Sequence, residues 1–336
     1  MTYYGLYEEI EIFEIAILKV CGRLLPMKKF LCLAALASFA PMGYGQQADL
    51  WSPKSQPANY VAPNKPHIKI AELKSKHNGQ ASWREVVVDD NMFRSEYIQS
   101  TPGTKMPRAL HPDTRAWWIV VDGQIRFDIE GQESFVGSKG SIVQVPRQTL
   151  FSMETIGDKP ALVLECNIAG ATLMYAKQDD LPKMPKMIPT LVRFPRTPGE
   201  YGPDNKPHIT WAALAKEIEE KKRRGSGIVV TDDRASATFI YGYEKNLPPA
   251  APNDMGHYHP ECSEFWLIMS GQISYRIEGI SNLIVANEGD VVYAPRFTYH
   301  NPRFYGPGPS TRLAITAYTH SAHLYQPNGQ SGPSGQ

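Results

Sequence analysis

The chain has 336 residues, 42% of them hydrophobic and 21% charged, with a formal net charge of +1. This ordinary globular balance provides for about two domains of ~100–200 residues each, and it lacks the basic field that holds a phosphate backbone, so nucleic acid is excluded as an expected partner. The 28 prolines and 26 glycines favour many turns over long helices.

The first readable element is a leader. From Met27 the sequence runs MKKFLCLAALASFAPMGYGQQA: two lysines, an apolar run from Phe30 to Phe39, then Gly43 and Gly45 ahead of a cut. That is the layout of a secretory signal peptide over 27–45. Its apolar run is shorter than the ~20 residues needed to span a bilayer. Residues 1–26 carry Glu8, Glu9, Glu11 and Glu14 and fit poorly ahead of a signal, so they read as an upstream extension before a natural start at Met27. An exported protein, periplasmic or extracellular, with no membrane association once the leader is removed, is the expectation. Only Cys166 and Cys262 remain after the cut, and nothing in the sequence pairs them.

The rest of the chain is written twice. NKPHI occurs at Asn64–Ile68 and Asn205–Ile209; DGQIRFDIEG at 122–131 answers SGQISYRIEG at 270–279; KGSIVQVPR at 139–147 answers EGDVVYAPR at 288–296. The copies divide the chain into 60–195 and 196–328, joined near the proline- and glycine-rich FPRTPGEYGP at 194–203, with 329–336 as a flexible tail. Each copy reads as short strands. WWIVVDG and FWLIMSG are apolar runs closed by glycine, and QIRFDIEG and QISYRIEG alternate at period two. An all-β fold of two sandwiches or barrels in tandem follows, with a few short helices. The clearest helix is ITWAALAKEIEEKKRRG, with Leu214 and Ile218 on one face and Gly225 as its predicted stop.

The second copy alone carries a candidate metal site. His257 and His259 are two apart and project side by side from an extended chain. Glu264 follows after a short turn, and His300 ends the strand–turn segment GDVVYAPRFTYHN. Three imidazoles and a carboxylate suit Zn, Fe, Mn, Ni or Cu. Trp266 and Ile268 should share the inward face with Glu264, while Phe265, Leu267 and Tyr258 should point away. Shifted by the repeat, His259 falls on His111, but His257 falls on Ala109, Glu264 on Ala116 and His300 on Phe151. The first copy is therefore expected to hold no metal, with His111 beside an emptied pocket. His320 and His323 stand where the first copy has Ala169 and Thr172, which makes them candidate acid–base groups. Arg296 is a third candidate, although Arg147 at the same place in the first copy favours a structural role.

The spacing G-H-x-H-x4-E-x6-G, filled by Gly256, His257, His259, Glu264 and Gly271, resembles the first cupin motif. G-x5-P-x4-H-N, filled by Gly289, Pro295, His300 and Asn301, resembles the second, with Phe297 or Thr298 in place of the usual glycine. The resemblance covers both copies and implies a bicupin: two double-stranded β-helix (jelly-roll) barrels forming an intramolecular pseudo-dimer, with the four ligands named above. The stretch HYHPECSE is similar to the germin and oxalate-decarboxylase version. Those decarboxylases usually keep ligands in both units and use a lid glutamate, whereas Asn301–Arg312 contains no carboxylate. The resemblance therefore implies a metal-dependent enzyme of dioxygenase, decarboxylase or isomerase type acting on a small oxygenated organic molecule, in a chain able to form homo-oligomers. A non-catalytic, metal-dependent binder of a sugar or organic acid, or a storage-type scaffold, stays open beside it.

Overall fold

A computed structural model describes residues 51–177, 180–183, 186, 188–232, 234–318 and 321–326. The expected leader with its upstream extension, the tail and His320 lie outside the described residues. The chain divides into Met1–Ser52, almost all of it undescribed, and one compact unit, Pro53–Gln336, which is the subject below. Among the described residues, no helix is long and apolar enough to cross a membrane.

The unit is all-β, with two short α-helices. Each repeat builds one six-stranded and one five-stranded antiparallel sheet, and the strand orders of the two repeats correspond one to one. In the first, the six-stranded sheet runs 208–210, 141–145, 116–122, 161–168, 93–100, 83–89. In the second it runs 67–68, 291–294, 264–270, 309–316, 236–243, 226–231. The smaller sheets run 174–175, 109–110, 151–156, 124–129, 135–138 and 324–325, 257–258, 300–305, 272–277, 284–287.

The first strand of each six-stranded sheet comes from the other repeat. His67–Ile68 pairs with Val291–Val292, and His208–Thr210 pairs with Ser141–Val143. The NKPHI motif explains why. Asn64 donates from Nδ2 to the Asp89 carbonyl and accepts from the Asp89 N–H, both at 2.8 Å. Asn205 does the same with Thr231, at 2.8 and 2.9 Å. Each asparagine mimics a strand partner and holds the exchanged segment in register. The two repeats are thus separate in sequence but interleaved in hydrogen bonding.

Period-two alternation lets each central strand serve two cores. Trp117, Ile119, Leu164, Phe265, Leu267, Leu313 and Ile315 belong to one cluster shared by the repeats, with the Phe93 and Phe265 rings edge to face at 5.4 Å. Each fully buried Phe or Leu of this layer contributes about 1.5–3 kcal/mol of transfer free energy. The intervening residues fill the separate barrel interiors: Trp118, Val120 and Val163 in the first, Trp266, Ile268 and Ala314 in the second. The expected inward and outward faces of 264–268 are those observed. Cys166 and Cys262 are buried free thiols.

The helix of the second repeat is Trp211–Glu219, capped by Thr210, whose hydroxyl accepts from the Ala213 N–H at 3.2 Å. It stops earlier than the predicted Gly225. Lys221 takes the left-handed conformation (φ +58°), and its N–H donates to the Ile218 carbonyl. Gly225 instead immediately precedes the next strand, its carbonyl accepting from the Tyr241 N–H at 2.7 Å. A helical face with only Leu214 and Ala215 buried has no packing to extend it.

Gly140 sits where that helix docks. Its φ is +87°, and a Cβ there would run into the Trp211 indole. Gly279 has a similar φ of +81° but nothing within 4 Å. Gly279→Ala should therefore cost about 1–2 kcal/mol, the left-handed penalty alone, and Gly140→Ala measurably more by urea unfolding. Equal losses would show that Trp211 yields and that the close approach is not what requires glycine at 140.

Candidate metal centre

His257 stands in a two-residue strand directly opposite His300, which begins the strand 300–305. Gly256, with φ +76°, permits this, because a Cβ would strike the His300 carbonyl. Asp254 fixes the entry: its carboxylate accepts from the Gly256 N–H at 2.9 Å, and its carbonyl accepts from Asn301 Nδ2 at 3.2 Å. After the second histidine the chain turns into the strand 264–270, which presents Glu264 to the interior. The turn before His300 places Phe297 at φ +65°, so Phe297, rather than Thr298, occupies the position of the usual glycine. Its N–H donates to the His259 carbonyl at 3.0 Å and ties the two motifs together.

Four sequence-distant ligand atoms thereby converge. One nitrogen each from His257, His259 and His300 and one oxygen of Glu264 lie within 4.8 Å of one another. His259 and His300 Nε2 are each 2.9 Å from Glu264 Oε2, and His257 Nε2 is 3.2 Å from His300 Nε2. Three of the four residues are buried. The opposite ring nitrogens are already engaged. His259 Nδ1–H donates to the Ala322 carbonyl at 2.8 Å, and His300 Nδ1–H to the Thr298 carbonyl at 2.9 Å. In the neutral rings this leaves the Nε2 lone pairs facing each other and a carboxylate. Such an arrangement demands a cation at its centre, either protons or a metal ion. The donor set fits a divalent transition metal.

Charge follows the geometry. Burial opposes ionisation of Glu264, but the His259 and His300 contacts overcome it and hold the carboxyl well below its usual range. Burial, and then the neighbouring His300, push His257 well below the ordinary histidine value. Burial also works against a charged His259, yet the bond to Glu264 raises it.

The candidate acid–base groups separate. His323 packs on the cluster, its ring centroid 4.5 Å from that of His257 and 4.6 Å from that of His259. Burial and the neighbouring His259 lower its pKa. Strand register corrects its counterpart. Leu324–Tyr325 and Met174–Tyr175 occupy the same place in the two sheets, so His323 answers Leu173, not Thr172. Arg296 does not reach the cluster: it is exposed, with its guanidinium over the Phe297 ring at 4.9 Å.

The first repeat retains the frame of this site without its ligand set. Ala109 pairs with Phe151 as His257 does with His300. His111 Nδ1–H donates to the Thr172 carbonyl at 2.9 Å, matching the His259 bond, while Nε2 accepts from Asn167 at 3.3 Å. Phe151 lies 5.1 Å from Trp118, where His300 lies 5.0 Å from Trp266. Phe151 thus takes the place of His300, while Ala109 and Ala116 take the places of His257 and Glu264. Three features escaped the reading of the sequence. Glu165 accepts from the Trp118 indole N–H at 2.6 Å within the first barrel. Arg312 and Tyr275 are buried in the second. The repeat alignment carried the signal for Tyr275, which stands opposite Phe127 in the paired stretches.

Residues 97–166 match the family model described as "Cupin domain". Among solved structures, a "Cupin 2 conserved barrel domain protein" from Leptotrichia buccalis is similar at 11% identity and TM-score 0.47, covering 75% of this chain and 95% of its own. A variant of Bacillus subtilis oxalate decarboxylase is similar at 13% identity and TM-score 0.47, covering 80% of each chain. Another structure of that enzyme, concerned with its Mn(II) centres, is similar at 14% identity and TM-score 0.44, covering 73% of this chain and 75% of its own. No curated protein matches the chain. The family match falls on the first barrel, residues 97–166, and the second barrel repeats its strand order element for element.

Proposed function

We propose that the protein is an exported, metal-dependent enzyme acting on a small oxygenated organic molecule, with one divalent transition metal held by His257, His259, Glu264 and His300. The observation that carries this reading is the convergence of four ligand atoms in one barrel and the replacement of three of those ligands by Ala109, Ala116 and Phe151 in the other. A site retained in one barrel and filled in its twin is built for the ion, not for the fold. When bound, such an ion supplies Lewis acidity and a template for oxygen ligands. The chain's own contribution is to orient the ligands. Carbonyls of Ala322 and Thr298 fix two imidazole tautomers, and Trp266 packs against His300. His323, half-buried against two of the ligand rings, is the group placed to hold or move a proton beside the centre. Arg296, exposed, is assigned to the surface. Export rests on Lys28 and Lys29 ahead of the apolar run Phe30–Phe39.

A metal-dependent binder without turnover is the competing reading. A panel of carboxylates, phenols and sugars, tested with and without dioxygen at full metal loading, decides between them. Conversion of no compound on the panel would favour the binder.

Elemental analysis should find one metal ion per chain. His257→Ala and His300→Ala should lose it, and His111→Ala should leave it unchanged; a stoichiometry near two would refute the one-site assignment. His323→Gln should keep the metal and lower turnover at matched loading; parent-like turnover would remove His323 from the chemistry. Acid should release the ion. His259, held above its ordinary pKa, takes the first proton as pH falls, while Glu264 stays ionised. Log Kd should therefore rise by about one unit per pH unit through the histidine range, one proton replacing each ion. A flat profile there would remove His259 from the ligand set.

A further inference from the structure

The second barrel buries a cation that the fold does not use. Arg312 is 8% exposed and points inward from the strand 309–316, opposite Ile268 and Ile240. Glu264, Trp266 and Ile268 alternate inward along the neighbouring strand, so Arg312 lies two inward positions below the ligand Glu264. Its Nε is buried without a hydrogen-bond partner, and no ion pair among the described residues includes it. The hydroxyl of Tyr275, a residue wholly buried in the same interior, is likewise unpartnered. The two groups act on each other electrostatically, and Glu264 is the carboxylate whose charge reaches both. That carboxylate is already committed to His259 and His300. The remaining walls are apolar: Trp266, Ile268, Ile240 and Phe304, with the guanidinium 5.4 Å from the Phe304 ring centre.

The twin barrel serves as an internal control. Register places Val163 opposite Val120 as Arg312 stands opposite Ile268, and the repeat places Phe127 at the position of Tyr275. Both are buried hydrophobic residues, and that barrel closes on the same strand order. The fold therefore tolerates an apolar pair here. A buried guanidinium Nε without a partner and an unsatisfied hydroxyl both oppose stability. At the equivalent positions the barrel without the metal ligands carries neither group, only Val163 and Phe127.

We propose that Arg312 and the Tyr275 hydroxyl form the recognition site for the carboxylate of a small organic acid with an apolar body, inside the second barrel and below the histidine cluster. The proposal rests on the reading of this barrel as a metal centre that takes a small molecule, and it names the class of that molecule. A guanidinium fork matches a carboxylate geometrically. One arginine balances one negative charge, which favours a monocarboxylate over a phosphate dianion. The tyrosine hydroxyl completes the acceptor's bonding, and the Trp266–Phe304 walls cover a hydrocarbon or aromatic body.

The test uses the full chain, metal-loaded and chelator-treated, as parent, Arg312→Met and Tyr275→Phe. Without ligand, Arg312→Met should unfold at a higher temperature than the parent, because it removes an unpaired buried charge while keeping side-chain length; a lower midpoint would show a structural role and overturn the proposal. Calorimetric titration then compares benzoate, phenylacetate and butyrate with their neutral amides. The metal-loaded parent should bind at least one acid tenfold or more tighter than its amide. Arg312→Met should abolish that preference, and Tyr275→Phe should weaken the acid several-fold while leaving the amide unchanged. Absence of any acid preference in the parent, or its survival in Arg312→Met, would overturn the proposal. Metal content is measured on the same samples. A parent that takes up no metal would defeat the metal-centre reading, while the unfolding and titration comparisons would still decide the role of Arg312.

Discussion

The constraint on which the molecule depends is the face-to-face packing of its two six-stranded sheets. Phe265, Leu267, Leu313 and Ile315 from one repeat share a core with Trp117, Ile119 and Leu164 from the other. Once those residues face the shared layer, the pleat sends Glu264, Trp266 and Ile268 into the barrel interior. A slip of one residue would put the ligand glutamate into the inter-sheet core. The exchanged strands, held by Asn64 and Asn205, reinforce that register from both sides. The candidate metal centre is thus positioned by a contact on the opposite face of the strand that carries Glu264.

Comparison of the barrels shows how little of a cupin-type site belongs to the fold. The carbonyl that receives the His259 Nδ1 proton has its counterpart for His111, and the ring packed on Trp266 has its counterpart on Trp118. What differs is the content of the cavity. Three imidazoles and a carboxylate leave lone pairs that a cation must satisfy, whereas Phe151 beside two alanines leaves aromatic volume that needs nothing. The first barrel thus carries an aromatic contact where the second carries a ligand. His111 survived because Asn167 and the Thr172 carbonyl satisfy both of its nitrogens.

The same comparison separates polar groups that stabilise from those that do not. Asp90 accepts from the Ser263 and Tyr293 hydroxyls at 2.5 and 2.8 Å, and from the Met92 and Phe93 N–H groups, and so joins the repeats. Asp290 accepts from His67 Nε2 at 2.8 Å and from the Ile70 N–H at 3.0 Å across the exchanged strand. The half-buried Asp90 and the buried Asp290 each hold several donors. Arg312 Nε and the Tyr275 hydroxyl are among the buried polar atoms that lack a partner, and these two lie in the same barrel interior as the ligand cluster.

Much was legible in the sequence because it was local or repeated. The duplication exposed the architecture, the period-two alternation fixed which side of 264–268 faces inward, and the ligand spacing named His257, His259, Glu264 and His300. Chain order also carried the loss of the first site, since Ala109, Ala116 and Phe151 stand at the ligand positions. What escaped depended on neighbours distant in sequence. The early helix stop at Lys221 reflects how short a face the sheets bury, which propensity along 211–225 does not encode. The match of His323 to Leu173 needed strand register, because insertions shift the repeat offset after the last long strand. Interleaving of the repeats, the contact of Phe151 with Trp118 and the burial of Arg312 Nε without a partner were decided by tertiary structure alone. Each turns on which side chains meet across sheets. A sequence specifies the direction in which a strand residue points, but only the closed barrel determines what, if anything, stands opposite it.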